Sequence, residues 1–120
     1  MNEENFVFEN LKVYQKALEY VDLVYGITKN FPRAEVFSLS DQFKRASVSI
    51  CLNIAEGSGG SRAEFRQFLK IARRSVRECI AVTEISWRQK IIPSEEKQWS
   101  RECCVELSKM LNGLMKSLKS

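Results

Sequence analysis

The chain has 120 residues, 44% of them apolar and 28% charged, with nineteen Lys and Arg against fifteen Asp and Glu for a net charge of +4. That length suits one domain around one core, and no apolar run reaches the roughly 18 residues that span a bilayer. The acidic start MNEENFVFENLK lacks the basic and apolar segments of a signal peptide, so a cytoplasmic protein free of the membrane is expected.

Residues 1–10 show no clear period and read as a loose leader, with Phe6 and Phe8 placed to tuck against the helical body. From Leu11, apolar residues recur at alternating intervals of three and four, the period of a helix with one buried face. Leu11, Tyr14, Leu18, Val21, Tyr25 and Thr28 form the expected core stripe of a first helix over about residues 11–30, with Ala17, Val24 and Phe31 beside it. Pro32 ends it, because proline disfavours helical geometry in the residue before it.

After a short connection at Arg33–Phe37, Ser38 is the expected cap of a second helix. Leu39, Phe43, Ala46, Ile50, Asn53 and Ile54 occupy one face of that helix, and Val48, Cys51, Leu52 and Ala55 widen its apolar surface well beyond one stripe. A helix so apolar on several sides is buried against more than its own bundle. Val48, Leu52 and Ala55, with an extra face on the first helix, are therefore the expected oligomer interface.

Gly57, Gly59 and Gly60 are expected to close the second helix through positive φ, which glycine adopts without penalty. Ser61-Arg62-Ala63-Glu64 then reads as a capping box that opens a third helix over about residues 62–90. Its core face is Phe65, Phe68, Leu69, Ala72, Val76, Cys79, Thr83 and Trp87, and Pro93 marks its stop. Ser94, followed by Glu95 and Glu96, offers a cap and favourable first-turn acids for a fourth helix. That helix carries Trp99, Cys103, Leu107, Met110, Leu111, Leu114 and Leu118 and runs nearly to Ser120. Three short connections between four long helices predict an all-α, antiparallel up-down-up-down four-helix bundle over residues 11–120.

The chemistry open to such a chain is narrow. It has no histidine, which removes Ser-His-Asp and Cys-His nucleophile activation, Glu-x-x-His di-iron sites and histidine-bound zinc. The glutamates are scattered rather than facing one another, so no catalytic residue, metal site or cofactor is expected. Cys51, Cys79, Cys103 and Cys104 lack C-x-x-C spacing and read as small buried apolar groups.

The third helix carries the chain's positive excess. Residues 61–90 hold eight Lys and Arg against three acids, whereas the remaining residues hold eleven against twelve. At about 100° per residue from Arg62, the basic residues Arg62, Arg66, Lys70, Arg73, Arg74, Arg77 and Arg88 fall within about 120° of one another, interrupted only by Glu84. Arginine's planar fork suits phosphates, and charge of one sign repels itself unless something anionic offsets it. Three readings stay open: nucleic-acid backbone, a carboxylate surface on another protein or subunit, and plain solvation. No aromatic residue interleaves the arginines as single-strand stacking requires. The GSGGSR turn reads as a turn or as an anion site at a helix N-terminus, but it lacks the G-K-[ST] ending of a P-loop.

The run SVSICLNIAEGSGGSRAEFRQFLKIARRSVRE resembles the four-helix bundle proteins encoded in intervening sequences of 23S ribosomal RNA genes. Asn53-Ile54-Ala55-Glu56-Gly57 and Phe65-x-x-Phe68-Leu69-x-x-Ala72-Arg73 carry the resemblance most specifically. Phe8-x-x-Leu11-x-Val13-Tyr14-Gln15-Lys16-Ala17, Phe31-Pro32-x-x-Glu35 and Gln42-x-x-Arg45-Ala46 extend it over about Phe8 to Lys119. The resemblance implies a ring-like homopentamer. It also points to the related accessory variability protein of diversity-generating retroelements, and so to nucleic acid and a reverse transcriptase as partners. Arg45, Arg62, Arg66, Arg73 and Arg77 are the basic positions it carries over, and Tyr14, Cys51 and Arg74 depart from the family's usual tryptophan, proline and glycine. Taken together, the sequence reads as a non-enzymatic, self-associating bundle that presents Arg45, Arg62, Arg66, Lys70, Arg73, Arg74 and Arg77 to RNA or DNA. The alternatives are an assembly scaffold whose basic face meets acidic protein surface, and an enzyme using carboxylates or Cys51.

Overall fold

A computed structural model describes residues 6–119, so the first five residues of the expected leader and Ser120 lie outside the described residues. Four helices form the body: α1 (Lys12–Thr28), α2 (Asp41–Ser58), α3 (Arg62–Arg88) and α4 (Ser94–Ser117). Each packs on its chain neighbours, and α4 closes the ring on α1, which gives the antiparallel four-helix bundle. No strand occurs among the described residues. None of these helices is long and apolar enough to cross a membrane.

Residues 6–10 of the expected leader carry local structure. Val7–Asn10 form a 3-10 turn, with the Glu9 carboxylate accepting from the Phe6 amide at 2.7 Å. Phe8 meets the Tyr14 ring edge-on at 4.9 Å between centroids, while Phe6 stays exposed.

The first helix turns a different stripe inward from the one its period suggests. Val13, Ala17, Tyr20, Val24 and Ile27 are buried, whereas Leu18 and Tyr25 of the expected stripe are 43% and 44% exposed. Two apolar stripes lie side by side on α1, and the period fits both. Tyr20 selects between them, because its hydroxyl reaches the fully buried Ser100 Oγ of α4 at 2.8 Å.

The connection into α2 also differs. Arg33–Glu35 form a 3-10 turn and Val36–Ser40 a π-helical turn that runs directly into Asp41. Helical backbone bonding thus begins upstream of Ser38, and its hydroxyl donates to the Glu35 carboxylate at 2.6 Å instead of capping α2. Ser94 likewise caps nothing. It is the first residue of α4, and its Oγ accepts from the Trp87 indole N–H at 3.2 Å.

Glycine acts by absence of bulk rather than by positive φ, which no described glycine adopts. Helix α2 runs through Gly57 to Ser58. A Cβ at position 57 would lie 2.5 Å from Phe68 Cβ and 3.0 Å from the Phe65 ring of α3, so the hydrogen of Gly57 lets the two helices close. Beyond the turn, the capping box forms as its sequence predicts, with Ser61 N–H donating to Glu64 Oε1 at 2.8 Å and Glu64 N–H to Ser61 Oγ at 3.1 Å. The backbone bond from Ser61 holds the Glu64 carboxyl below its usual range.

Positive φ belongs to Lys90, at 62°. Ile91 N–H bonds to Ser86 O at 2.8 Å and Lys90 N–H to Trp87 O at 2.9 Å, the paired closure by which a left-handed residue ends a helix.

Two substitutions test these points by chemical denaturation. Gly57→Ala is expected to lower stability by about 1–3 kcal/mol despite alanine's better helix propensity, because Phe68 Cβ is fixed to the α3 backbone and cannot swing away. Lys90→Gly is expected to raise stability by about 1 kcal/mol through relief of the left-handed strain.

Candidate nucleic-acid interface

Helix α3 positions its basic residues by arithmetic. Leu69, Ala72, Val76, Cys79 and Thr83 are buried, so residues about a third of a turn away face α4 and solvent. From Arg66 to Arg77 the helix rises about 17 Å. Antiparallel packing sets this half of α3 beside the last turns of α4. The result is a cleft of about 480 Å³ lined by Arg66, Lys70, Arg73, Asn112, Met115, Lys116 and Lys119.

The basic residues expected from sequence divide into four groups. Arg66, Lys70 and Arg73 line the cleft, and the Arg73 guanidinium donates to Asn112 Oδ1 at 2.8 Å. Arg74 and Arg77 are exposed on the solvent side of α3. Arg62 donates to Ser117 O at 2.9 Å, capping the C-terminal end of α4. Arg45 stands apart on α2, paired with Asp41 at 3.0 Å.

Charge along the α3–α4 seam changes character from one end to the other. Toward the C-terminal end of α3, Glu84 meets Lys97 at 3.6 Å and Arg101 at 4.0 Å. Lys97 also sits 3.5 Å over the Trp87 ring. At the cleft end, no carboxylate among the described residues lies within ion-pair distance of Arg66, Lys70, Arg73, Arg74 or Arg77. The Glu64 carboxylate already holds the backbone amide at the N-terminal end of α3, which accounts for the GSGGSR turn as a cap.

Lys116 and Lys119 are the cleft residues that the basic run of α3 did not reveal. Counted with everything outside α3, they vanish into a near-zero balance. Their signal is positional, since the last turns of α4 must lie opposite the first turns of α3 in an antiparallel pair.

The residues expected to form an oligomer interface occupy the other side of the molecule. Leu52 is 62% exposed, and Val48 and Ala55 are half-buried. Val48 and Leu52 share an open cleft of about 430 Å³ with Tyr25, Asp41, Lys44, Arg45, Ser49 and Asn53. Lys44 Nζ lies 5.5 Å from the Tyr25 ring centroid.

A family model for 23S rRNA-intervening sequence proteins matches residues 9–113. The chain belongs to that family. A crystal structure of a protein of unknown function from the S23 ribosomal protein family of Bacteroides thetaiotaomicron is similar to it, with 28% identity and a TM-score of 0.80. The match covers 87% of this chain and 98% of that one. No curated protein sequence matches the chain. Within this intervening-sequence family member, Arg66, Lys70, Arg73 and Asn112 lie inside the matched span, whereas Lys116 and Lys119 lie beyond it.

The thiols are held in unreactive surroundings. Burial pushes the Cys51 and Cys104 thiols up to about 11 and raises Cys79 further still. Cys103 is half-buried, with burial again the main cause of a raised pKa. No group of three or more His, Cys, Asp or Glu converges as a metal cage among the described residues. In the folded protein, alkylation followed by mass spectrometry is expected to label Cys103 first. Cys51, Cys79 and Cys104 should react at least about tenfold more slowly than a free cysteine, and unfolding should equalise all four.

Proposed function

We propose that this family member is a non-enzymatic, self-associating bundle that binds the sugar–phosphate backbone of RNA or DNA through α3. The observation that carries this reading is the row Arg66, Lys70, Arg73 and Arg77, on which no described carboxylate sits. Cations spaced three and four residues apart recur about every 5 Å along a helix, and displaced counterions supply the affinity when they meet phosphates. Such contacts position a nucleic acid without reading its bases. The family's association with intervening sequences of 23S rRNA makes RNA the first ligand to test.

Self-association is the second part of the proposal. Leu52, Val48 and Tyr25 leave apolar surface in water on the α1–α2 side, which a further copy would cover in the homopentamer that the family resemblance implies. An accessory role beside a reverse transcriptase would use both surfaces together. In the competing reading, the α3 cations meet acidic surface on a neighbouring protein and serve assembly.

One double variant separates these readings. Arg73→Glu with Arg77→Glu is expected to weaken nucleic-acid binding by about tenfold or more and to reduce the salt slope by roughly two, with helicity by circular dichroism unchanged. Unchanged affinity would remove the basic-row model. A change of mass in light scattering without a change in binding would instead assign these arginines to assembly.

A further inference from the structure

We propose that the cleft between α3 and α4 seats one strand of a base-paired nucleic acid, gripped from both helices, in preference to a single strand. The proposal rests on the backbone-binding reading of α3 and adds the α4 wall and the strandedness of the ligand.

Two rows of cations face each other across the cleft: Arg66, Lys70 and Arg73 on α3, Lys116 and Lys119 on α4. A phosphate ridge lying between them is neutralised from both sides, which a single exposed helix face cannot do. Arg73 is pre-set by its bond to Asn112. One of its five guanidinium N–H donors is engaged there and the others remain for phosphate, so less side-chain freedom is lost on binding. Asn112, the amide side chain lining the cleft, accepts from Arg73 through its Oδ1 and keeps its Nδ2 donors for a phosphate or sugar oxygen.

Strandedness follows from what the lining lacks. Single-strand grooves gain much of their affinity from bases stacked on aromatic rings, and no aromatic residue lines this cleft. Attraction then depends on phosphate density. A duplex offers one charge per about 1.7 Å of axis, against about 3.4 Å for one of its strands, and releases more counterion per contact. The duplex therefore gains more from the same five cations. Met115, which also lines the cleft, is a buried core side chain with little surface to offer a base.

Fluorescence polarisation across a salt series tests this with a short RNA duplex, the DNA duplex of the same sequence, and their separated strands. The native protein is expected to bind the duplexes about tenfold more tightly than the strands. Lys116→Glu with Lys119→Glu should weaken duplex binding about tenfold and lower its salt slope by roughly two, with helicity unchanged. Equal or tighter binding of single strands would overturn the duplex preference while leaving backbone binding by α3 intact. Duplex binding untouched by the α4 variant would overturn the cleft and move the strand to the Arg74 and Arg77 side. Failure to bind any of these probes at low salt would overturn both this proposal and the reading beneath it.

Discussion

A chain of buried hydroxyls ties three of the four helices together. Thr83 Oγ1 donates to Cys79 O at 2.7 Å within α3, so its own proton is engaged and the 2.7 Å contact with Ser100 must be donated by Ser100. Tyr20 of α1 must then donate to Ser100 across 2.8 Å. With one proton on each hydroxyl, the direction runs from Tyr20 through Ser100 and Thr83 to the backbone. All three side chains are fully buried, where an unpaired hydroxyl costs about 1–3 kcal/mol. Rotating α1 to bury Leu18 and Tyr25 would break the chain and leave Ser100 short of its donor. Ser86, next along the same face of α3, is buried with no partner for its Oγ among the described residues.

Small residues set the spacing on the other side of α3. Gly57 admits Phe68, and Ser75 donates to Ser49 at 2.9 Å across the same α2–α3 seam. With α2 drawn close at these points and α1 pinned through Tyr20, α3 has one rotation that satisfies both. That rotation buries Leu69, Ala72 and Val76 and leaves Arg66, Arg73 and Lys70 toward α4 and solvent. Packing of uncharged groups thus aims the charged ones. Electrostatics then divides the α3–α4 seam. Glu84 pairs with Lys97 and Arg101 at one end, while five cations crowd the other. Like charges so close destabilise the isolated bundle unless an anion offsets them. Surface ion pairs contribute about 0–1 kcal/mol each to stability, so the paired end adds little to the fold. The unpaired end is where a ligand has most to gain.

Helix number, order and approximate limits are legible in the chain because each depends on local period and on proline or capping residues. Ser61 and Glu64 satisfy each other within one turn, and the structure contains them as the sequence predicts. Ser38 and Ser94 have equally good local patterns for caps, yet Ser38 bonds back to Glu35 because helical bonding starts upstream of it, and Ser94 bonds to Trp87 across the folded connection. The basic row of α3 is legible for the same reason as the helix, since seven residues of one sign fall on one face at the helical repeat. Lys116 and Lys119 are not, because a charge tally has no geometry.

Composition and period, as properties of the chain alone, dictate a four-helix bundle with its positive charge concentrated on α3 and without histidine chemistry. Folding alone selects which of two apolar stripes on α1 faces inward, gives Gly57 to close approach rather than to a turn, and brings α3 and α4 together into one cleft. Those choices rest on contacts between different helices, such as Tyr20 with Ser100 and Arg73 with Asn112, and no local pattern encodes them.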